Sequence, residues 1–177
     1  MEVALLGFFF VTYILIRVRF AELDTKSDKE RVIMAKGIDH FNKKNFDEAF
    51  VYFNDILQKN KKSSIAFGYR GLCHLQRQNY HSAIYDLGQA LSFDYSITDF
   101  QIGKGRAHYE LKEWQEAYVM FDKAVWYGHR ENAIAFCWRG KINLELKKWA
   151  EAKFDFERAV ELGSEEAVYL MPKIGNK

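Results

Sequence analysis

Residues 101–124 read QIGKGRAHYELKEWQEAYVMFDKA, and the same arrangement returns along the chain. Gly105 has counterparts at Gly37, Gly71 and Gly140, spaced 34, 34 and 35 residues apart. Nine residues after each glycine stands an aromatic: Phe46, Tyr80, Trp114 or Trp149. Twelve after comes an alanine: Ala49, Ala83, Ala117 or Ala152. Sixteen after is Phe53, Leu87, Phe121 or Phe156, and nineteen after is Ile56, Ala90, Ala124 or Ala159. Five columns in register over four units mark an internal repeat.

The columns predict two helices per unit, joined by a short polar turn: Lys43-Lys44-Asn45, Arg77-Gln78-Asn79, Lys112-Glu113 and Lys147-Lys148. The glycine of the first helix is expected to face the alanine of the second, two small residues letting the axes approach. The aromatic after the turn wedges the pair. The later Phe/Leu and Ala/Ile columns fill the seam to the next unit. A lone pair cannot bury its apolar face, but stacked pairs can.

This pattern resembles the tetratricopeptide repeat (TPR) family, whose unit carries these Gly, aromatic, Ala, Phe and Ala columns. The resemblance covers 30–166. It implies an all-α solenoid of four helix pairs, 30–63, 64–97, 98–131 and 133–166, with 167–177 as a partial cap containing Pro172. It implies a protein-binding role and leaves the partner open. The family's Trp before the glycine is replaced here by Ile33, Phe67, Gln101 and Phe136. Its junction proline is replaced by Lys61, Tyr95, His129 and Ser164. Asn60, Asp94, Gly128 and Gly163 stand directly before those and are expected to end the helices, Gly and Asn tolerating the left-handed conformation best.

Composition agrees with a folded, helical chain. Apolar residues make up 49% and charged residues 28%, and Pro172 is the one proline among 177 residues. A net charge of +2 gives nucleic-acid binding no support. Cys73 and Cys137 lie far apart without metal-ligand spacing and read as buried free thiols.

Residues 1–20 carry the uncharged run Val3–Ile16, followed by Arg17 and Arg19. With both arginines snorkelling outward, this segment is expected to be a single-pass transmembrane anchor in a lipid bilayer. Basic residues on its C-terminal side then place the repeats in the cytoplasm. A cleaved signal peptide, giving a secreted or periplasmic domain, and a buried core helix are the alternatives. Residues 21–29 are polar and read as a linker.

No catalytic motif is present, and neither a metal site nor a cofactor site is expected. His40, His74 and His108 recur three residues after their glycines, but stacked helices keep such positions about 10 Å apart, too far for one metal ion. Lys36, Arg70, Lys104 and Arg139 precede the glycines. They could form a ligand-binding stripe. However, only the two arginines have an Asp sixteen residues on, Asp86 and Asp155. That pairing predicts an Arg–carboxylate fork between the two helices of a unit.

First helices of stacked pairs line the concave side. Helical spacing assigns to that groove Met34, Ile38, Leu72, Ile102, Arg106, Tyr109, Lys141 and Glu145, with Trp138 at its edge. The first half is apolar, while the second mixes charge with aromatics, the usual anchors of interfaces. The alternative is that some of these, Tyr109 among them, are core. Relatives that clamp a chaperone's terminal carboxylate use Lys and Asn on the first two repeats. Met34, Ile38, Gly68 and Leu72 stand there instead, arguing against that ligand. The expected function is that of a membrane-anchored adaptor binding a protein or peptide. A structural subunit assembling through residues 1–20 is the second reading.

Overall fold

The computed structural model describes residues 10, 12, 13 and 25–171. Ten helices order the described residues: α1 (Lys26–Ile33), α2 (Ala35–Asn42), α3 (Phe46–Lys59), α4 (Ser64–Gln76), α5 (Tyr80–Phe93), α6 (Thr98–Glu110), α7 (Trp114–Tyr127), α8 (Ala133–Glu145), α9 (Trp149–Glu161) and α10 (Glu165–Leu170). Each unit pairs an inner helix with an outer one: α2 with α3, α4 with α5, α6 with α7, α8 with α9. The inner helices touch one another in sequence, and each outer helix also packs on the inner helix of the next unit. The result is a two-layer α-solenoid.

Each pair is turned by the same device. Lys44, Gln78, Lys112 and Lys147 all hold positive φ, near +60°. The next residue's amide then reaches five residues back: Asn45 N–H to His40 O at 2.9 Å, Asn79 to His74 at 2.9 Å, Glu113 to His108 at 3.0 Å, Lys148 to Asn143 at 2.8 Å. This motif satisfies carbonyls at the helix end without glycine.

The ends of the outer helices differ from the sequence expectation. Asn60 and Asp94 are extended, with φ of −134° and −146°. Their side chains instead accept from the backbone two residues on, Lys62 N–H at 3.1 Å and Ser96 N–H at 3.0 Å. Gly128 has φ −77°, and the left-handed residues are His129 and Arg130, within the loop that holds the extra residue. Only Gly163, at +89°, takes the left-handed role expected of the four.

The glycine contacts add a neighbour that spacing did not reveal. The atoms nearest a Cβ built on Gly105 or Gly140 belong to the rings of Phe121 and Phe156, at 2.6 and 2.8 Å. On Gly71 they belong to Leu87, including its backbone nitrogen at 3.0 Å. The glycine therefore makes room for the side chain sixteen residues on. Ala49, Ala83, Ala117 and Ala152 are fully buried. At Gly37 the nearest ring is Tyr52, fifteen residues on, with Phe53 next to it at 2.8 Å from the missing Cβ.

The first inner helix starts earlier than the repeat pattern suggests. Thr25 and Asp28 form a reciprocal capping box, Asp28 N–H donating to Thr25 Oγ1 at 3.2 Å and Thr25 N–H to Asp28 Oδ2 at 3.1 Å. Part of the polar 21–29 segment is thus helix α1. Glu30 anchors it, accepting from Ser63 Oγ at 2.8 Å and Ile65 N–H at 3.2 Å at the start of α4. A carboxylate there meets the positive end of the helix dipole.

The membrane placement is corrected. Among the described residues no helix is long and apolar enough to cross a membrane. Apart from Phe10, Thr12 and Tyr13, residues 1–20 lie outside the described residues, as does Pro172. The physical difficulty is length. The uncharged run Val3–Ile16 would extend ~21 Å as a helix, against ~30 Å of hydrocarbon, before Arg17 interrupts it.

Arg70 and Arg139 tie units together. Arg70 Nε and Nη2 donate to Asp86 at 2.7 and 2.9 Å within its own pair, and Nη1 donates to Asn54 on the preceding outer helix at 2.9 Å. Arg139 repeats this with Asp155, through Nη2 at 2.6 Å, and with Asp122, through Nη1 at 2.7 Å. Asp155 is 1% exposed and also accepts from Asn143 Nδ2 at 2.8 Å. Arg139→Gln should therefore cost about 3 kcal/mol, because it strands a buried carboxylate. Arg139→Lys should still cost about 1 kcal/mol or more, since a point charge cannot hold two acceptors in one plane. Urea unfolding checks both. Gly140→Ala should cost about 1–3 kcal/mol by overpacking Phe156. Gly88→Ala should gain about 0.5–1 kcal/mol in helix propensity, because its Cβ would meet only the mobile Lys104 Nζ, at 3.3 Å.

Candidate functional site

Inner and outer helices together carry two copies of one aromatic arrangement. In the first, Phe41 meets Phe46 and Tyr69 edge-on at 5.3 and 5.4 Å, while Tyr69 stacks on Phe53 at 5.2 Å. In the second, Tyr109 meets Trp114 and Trp138 edge-on at 5.3 and 5.5 Å, while Trp138 stacks on Phe121 at 5.6 Å. The members occupy equivalent positions two units apart. Edge-to-face and offset-stacked rings are the favoured geometries, so both clusters are rigid.

Their surroundings decide their exposure. Tyr69 is buried, because Phe100 meets its ring edge-on at 5.9 Å. Gly68 admits this: the Phe100 ring fills the space its Cβ would take. Met34 and Ile102 are 4% and 7% exposed and sit in the core instead of lining a groove. An apolar side chain at those positions packs against the neighbouring inner helix, which repeat spacing alone does not reveal. Ile38 and Leu72 are half-buried, and Leu72 leans into the gap left by Gly103. The first half of the inner surface is thus largely closed.

The second half is open. Trp138 is half-buried, with Lys141 Nζ 3.8 Å and the Arg106 guanidinium 5.3 Å from its ring centroid. Cations over an indole face are held by the ring quadrupole. Tyr109 donates its hydroxyl to Glu145 at 3.3 Å. Arg106, Tyr109, Trp138, Lys141 and Glu145 therefore form one cluster across α6 and α8. Glu166, on α10, accepts from Lys141 Nζ at 2.6 Å and from Cys137 Sγ at 3.6 Å. The Lys141 bond holds the Glu166 carboxyl below the usual range. Burial pushes the Cys137 and Cys73 thiols up, to about 11 and 12, so neither is a thiolate at neutral pH.

Glu166, Trp114 and Phe121 were not part of the sequence reading of this site. Trp114 and Phe121 were visible as packing columns. Glu166 could be placed only once α10 was seen to continue the stack as the first turn of a further inner helix. The repeated histidines serve locally: His108 Nδ1 lies 2.6 Å from Glu113 Oε2, and His74 packs edge-on against Phe50 at 5.1 Å.

No family model matches the chain, and no curated protein matches it. Solved structures do. The first TPR of Spaghetti (RPAP3), bound to the HSP90 peptide SRMEEVD, is 26% identical over 65% of this chain and 91% of its own, with a TM-score of 0.61. The second TPR domain of human RPAP3, in complex with the HSP70 peptide SGPTIEEVD, is 26% identical over 64% of this chain and 96% of its own, with a TM-score of 0.61. PilF of Pseudomonas aeruginosa is 22% identical over 85% of this chain and 69% of its own, with a TM-score of 0.72. Stacked helix pairs, their repeated turn and these likenesses together show that the chain has the tetratricopeptide-repeat fold.

Proposed function

We propose that this chain is a non-catalytic adaptor that binds a partner polypeptide along its inner surface, at the cluster around Trp138. The observation that carries this reading is an aromatic floor left half-open, with two cations over it, on helices whose packing fixes them. Aromatic and Arg side chains in such settings supply most of the binding energy at protein interfaces. The RPAP3 domains that share the fold bind peptides. Groups placed for chemistry are not what this surface offers. Its carboxylates pair with Lys141 and Tyr109, and its thiol is held protonated.

The partner segment suited to this floor has an apolar side chain for the ring and acidic side chains for Arg106 and Lys141. It would compete with Glu166, which already places a carboxylate on Lys141. A terminal carboxylate clamp on the first two units is not supported, because Met34 is buried and the Phe100 ring lies over Gly68.

Binding of acidic-apolar peptides, followed by tryptophan fluorescence on the full chain, tests this. Arg106→Glu/Lys141→Glu should weaken binding at least tenfold with helical content unchanged, and Glu166→Gln should strengthen it. Equal affinity for the charge-reversed protein would remove the cluster from the interface. The peptide SRMEEVD should bind more weakly than acidic peptides carrying an aromatic anchor.

A further inference from the structure

The step from the third unit to the fourth is longer than the two before it. Four residues join α3 to α4 and four join α5 to α6, 60–63 and 94–97, whereas five, 128–132, join α7 to α8. The longer loop turns through His129 and Arg130, left-handed at φ +52° and +60°, a conformation unfavourable for side chains larger than glycine. Its own backbone holds it there. Arg130 N–H donates to Val125 O at 3.0 Å, and Glu131 N–H to Gly128 O at 2.9 Å. Arg130 thereby stands at the end of α7, its guanidinium 6.0 Å from the Trp126 ring centroid.

Arg130 and Trp126 both line a cleft of about 600 Å³ between the outer helices α7 and α9. Phe154 lines it from α9, and the buried Val125 and Phe136 line it as well. Trp126 and Phe154 are 67% and 61% exposed, so two aromatic rings on neighbouring helices are left in water. The charges of the cleft are uneven. The carboxylates of Asp122 and Glu161 are taken by Arg139 and Arg158, each at 2.7 Å. Among the described residues no carboxylate comes within ion-pair distance of Arg130. A second hollow, of about 360 Å³, shares Arg139 and Phe154 with the first and reaches Ala150 and Tyr118. Together the two follow α9 from Ala150 to Glu161, about 17 Å of helix and the span of about five extended residues.

We propose that this outer groove is a second polypeptide-binding surface. It takes an extended acidic segment, with a large apolar side chain between Trp126 and Phe154 and a carboxylate on Arg130. Shape selects an extended chain, because two joined hollows in a line suit several residues, where a compact small molecule would fill one. Charge selects acid, because both carboxylates of the larger cleft are already paired and the group left over is a guanidinium, whose fork matches a carboxylate. Aromatic and Arg side chains are the usual anchors of such contacts. Earlier units lack the arrangement. Before the second unit Gln58 stands in place of Trp126, and Phe93 stacks on Phe67, the counterpart of Phe136, at 6.2 Å. At the third, Ser92 and Gln101 replace the indole and the phenyl. The groove therefore belongs to the fourth unit and not to the repeat. It lies on the opposite layer from the Trp138 cluster and does not rest on the reading of that cluster.

The test uses the full chain grown with 5-fluorotryptophan, so that Trp114, Trp126, Trp138 and Trp149 report separately by ¹⁹F NMR. The probes are an end-blocked pentapeptide of one phenylalanine followed by aspartates, its lysine-for-aspartate and serine-for-phenylalanine forms, and phenylacetate. The Trp126 signal should shift saturably with the acidic peptide, and the other three probes should bind there about fivefold more weakly or worse. Arg130→Glu and Phe154→Ser, both at exposed positions, should each weaken the Trp126 response by about fivefold or more with the melting temperature unchanged. Arg106→Glu/Lys141→Glu should leave the Trp126 response as it is, which reads this groove apart from the inner surface. Phenylacetate binding as tightly as the peptide would overturn the polypeptide occupant, and equal affinity for the lysine form would overturn the acidic one. Parent-like binding by Arg130→Glu or Phe154→Ser, loss of the Trp126 response in Arg106→Glu/Lys141→Glu, or no response in the parent chain would overturn the site.

Discussion

The structure depends on a ring or leucine seated where a glycine lacks its Cβ. At Gly105 and Gly140 the space a methyl would fill is already held by Phe121 and Phe156, both fully buried. The inner and outer helices of a pair approach until one helix's side chain lies on the other's backbone. That contact sets the distance within each pair, and the buried alanines allow the distance to be small. Because neither helix is covered by this contact alone, every pair still exposes an apolar face that only the next pair can cover. Stacking follows from the glycine, and the two-layer slab follows from stacking.

Stacking is not uniform, and its alternation shapes the inner surface. Large and small residues exchange places from unit to unit: Met34, Gly68, Ile102 and Cys137 occupy one position, and Ala35, Tyr69, Gly103 and Trp138 the next. Each small residue admits a large neighbour, Phe100 over Gly68 and Leu72 into the gap at Gly103. The natural unit of description is thus two repeats, and the aromatic quartet appears once per unit. The second copy stays accessible because no full inner helix follows α8 among the described residues. Only the short α10 does, and it contributes Glu166 where the first copy has Phe100 behind it.

The solenoid was legible in the sequence because it rests on spacing, and spacing survives substitution. Five columns sufficed to place eight helices without the family's tryptophan or proline. Contacts were harder, since periodicity gives a residue's face but not its partner. The alanines were expected opposite the glycines, and periodicity did not show that the side chain sixteen residues on also reaches the glycine, its atoms the nearest to the missing Cβ at Gly105 and Gly140. Met34 and Ile102 carry a groove position's number but a core residue's environment, set by what the adjacent unit happens to lack. The Thr25–Asp28 capping box was present in the sequence inside a stretch whose polarity suggested a linker, and local hydrogen bonding outweighed composition. Residues 1–20 show the reverse error, composition suggesting a bilayer span from a run too short for one.

Where the paired arginines stand, a guanidinium answers two acceptors on two helices, and the tie holds successive outer helices in register. Between them the chain keeps the cation and omits both acceptors. A buried charge without a partner is unfavourable, and lysine limits the cost by keeping its amine half in water and lowering its affinity for the proton. Replacing lysine by leucine would remove that cost altogether, just as an Arg–Asp tie would have offset it. Neither is what the sequence holds. The solenoid stacks through this unit without such a tie, with Phe100 and Phe121 buried on either side. The first unit follows the same pattern, Lys36 having Tyr52 sixteen residues on, so the column alternates between a lysine without a carboxylate and an arginine with one, and the ties come once every two repeats, as the aromatic quartet does.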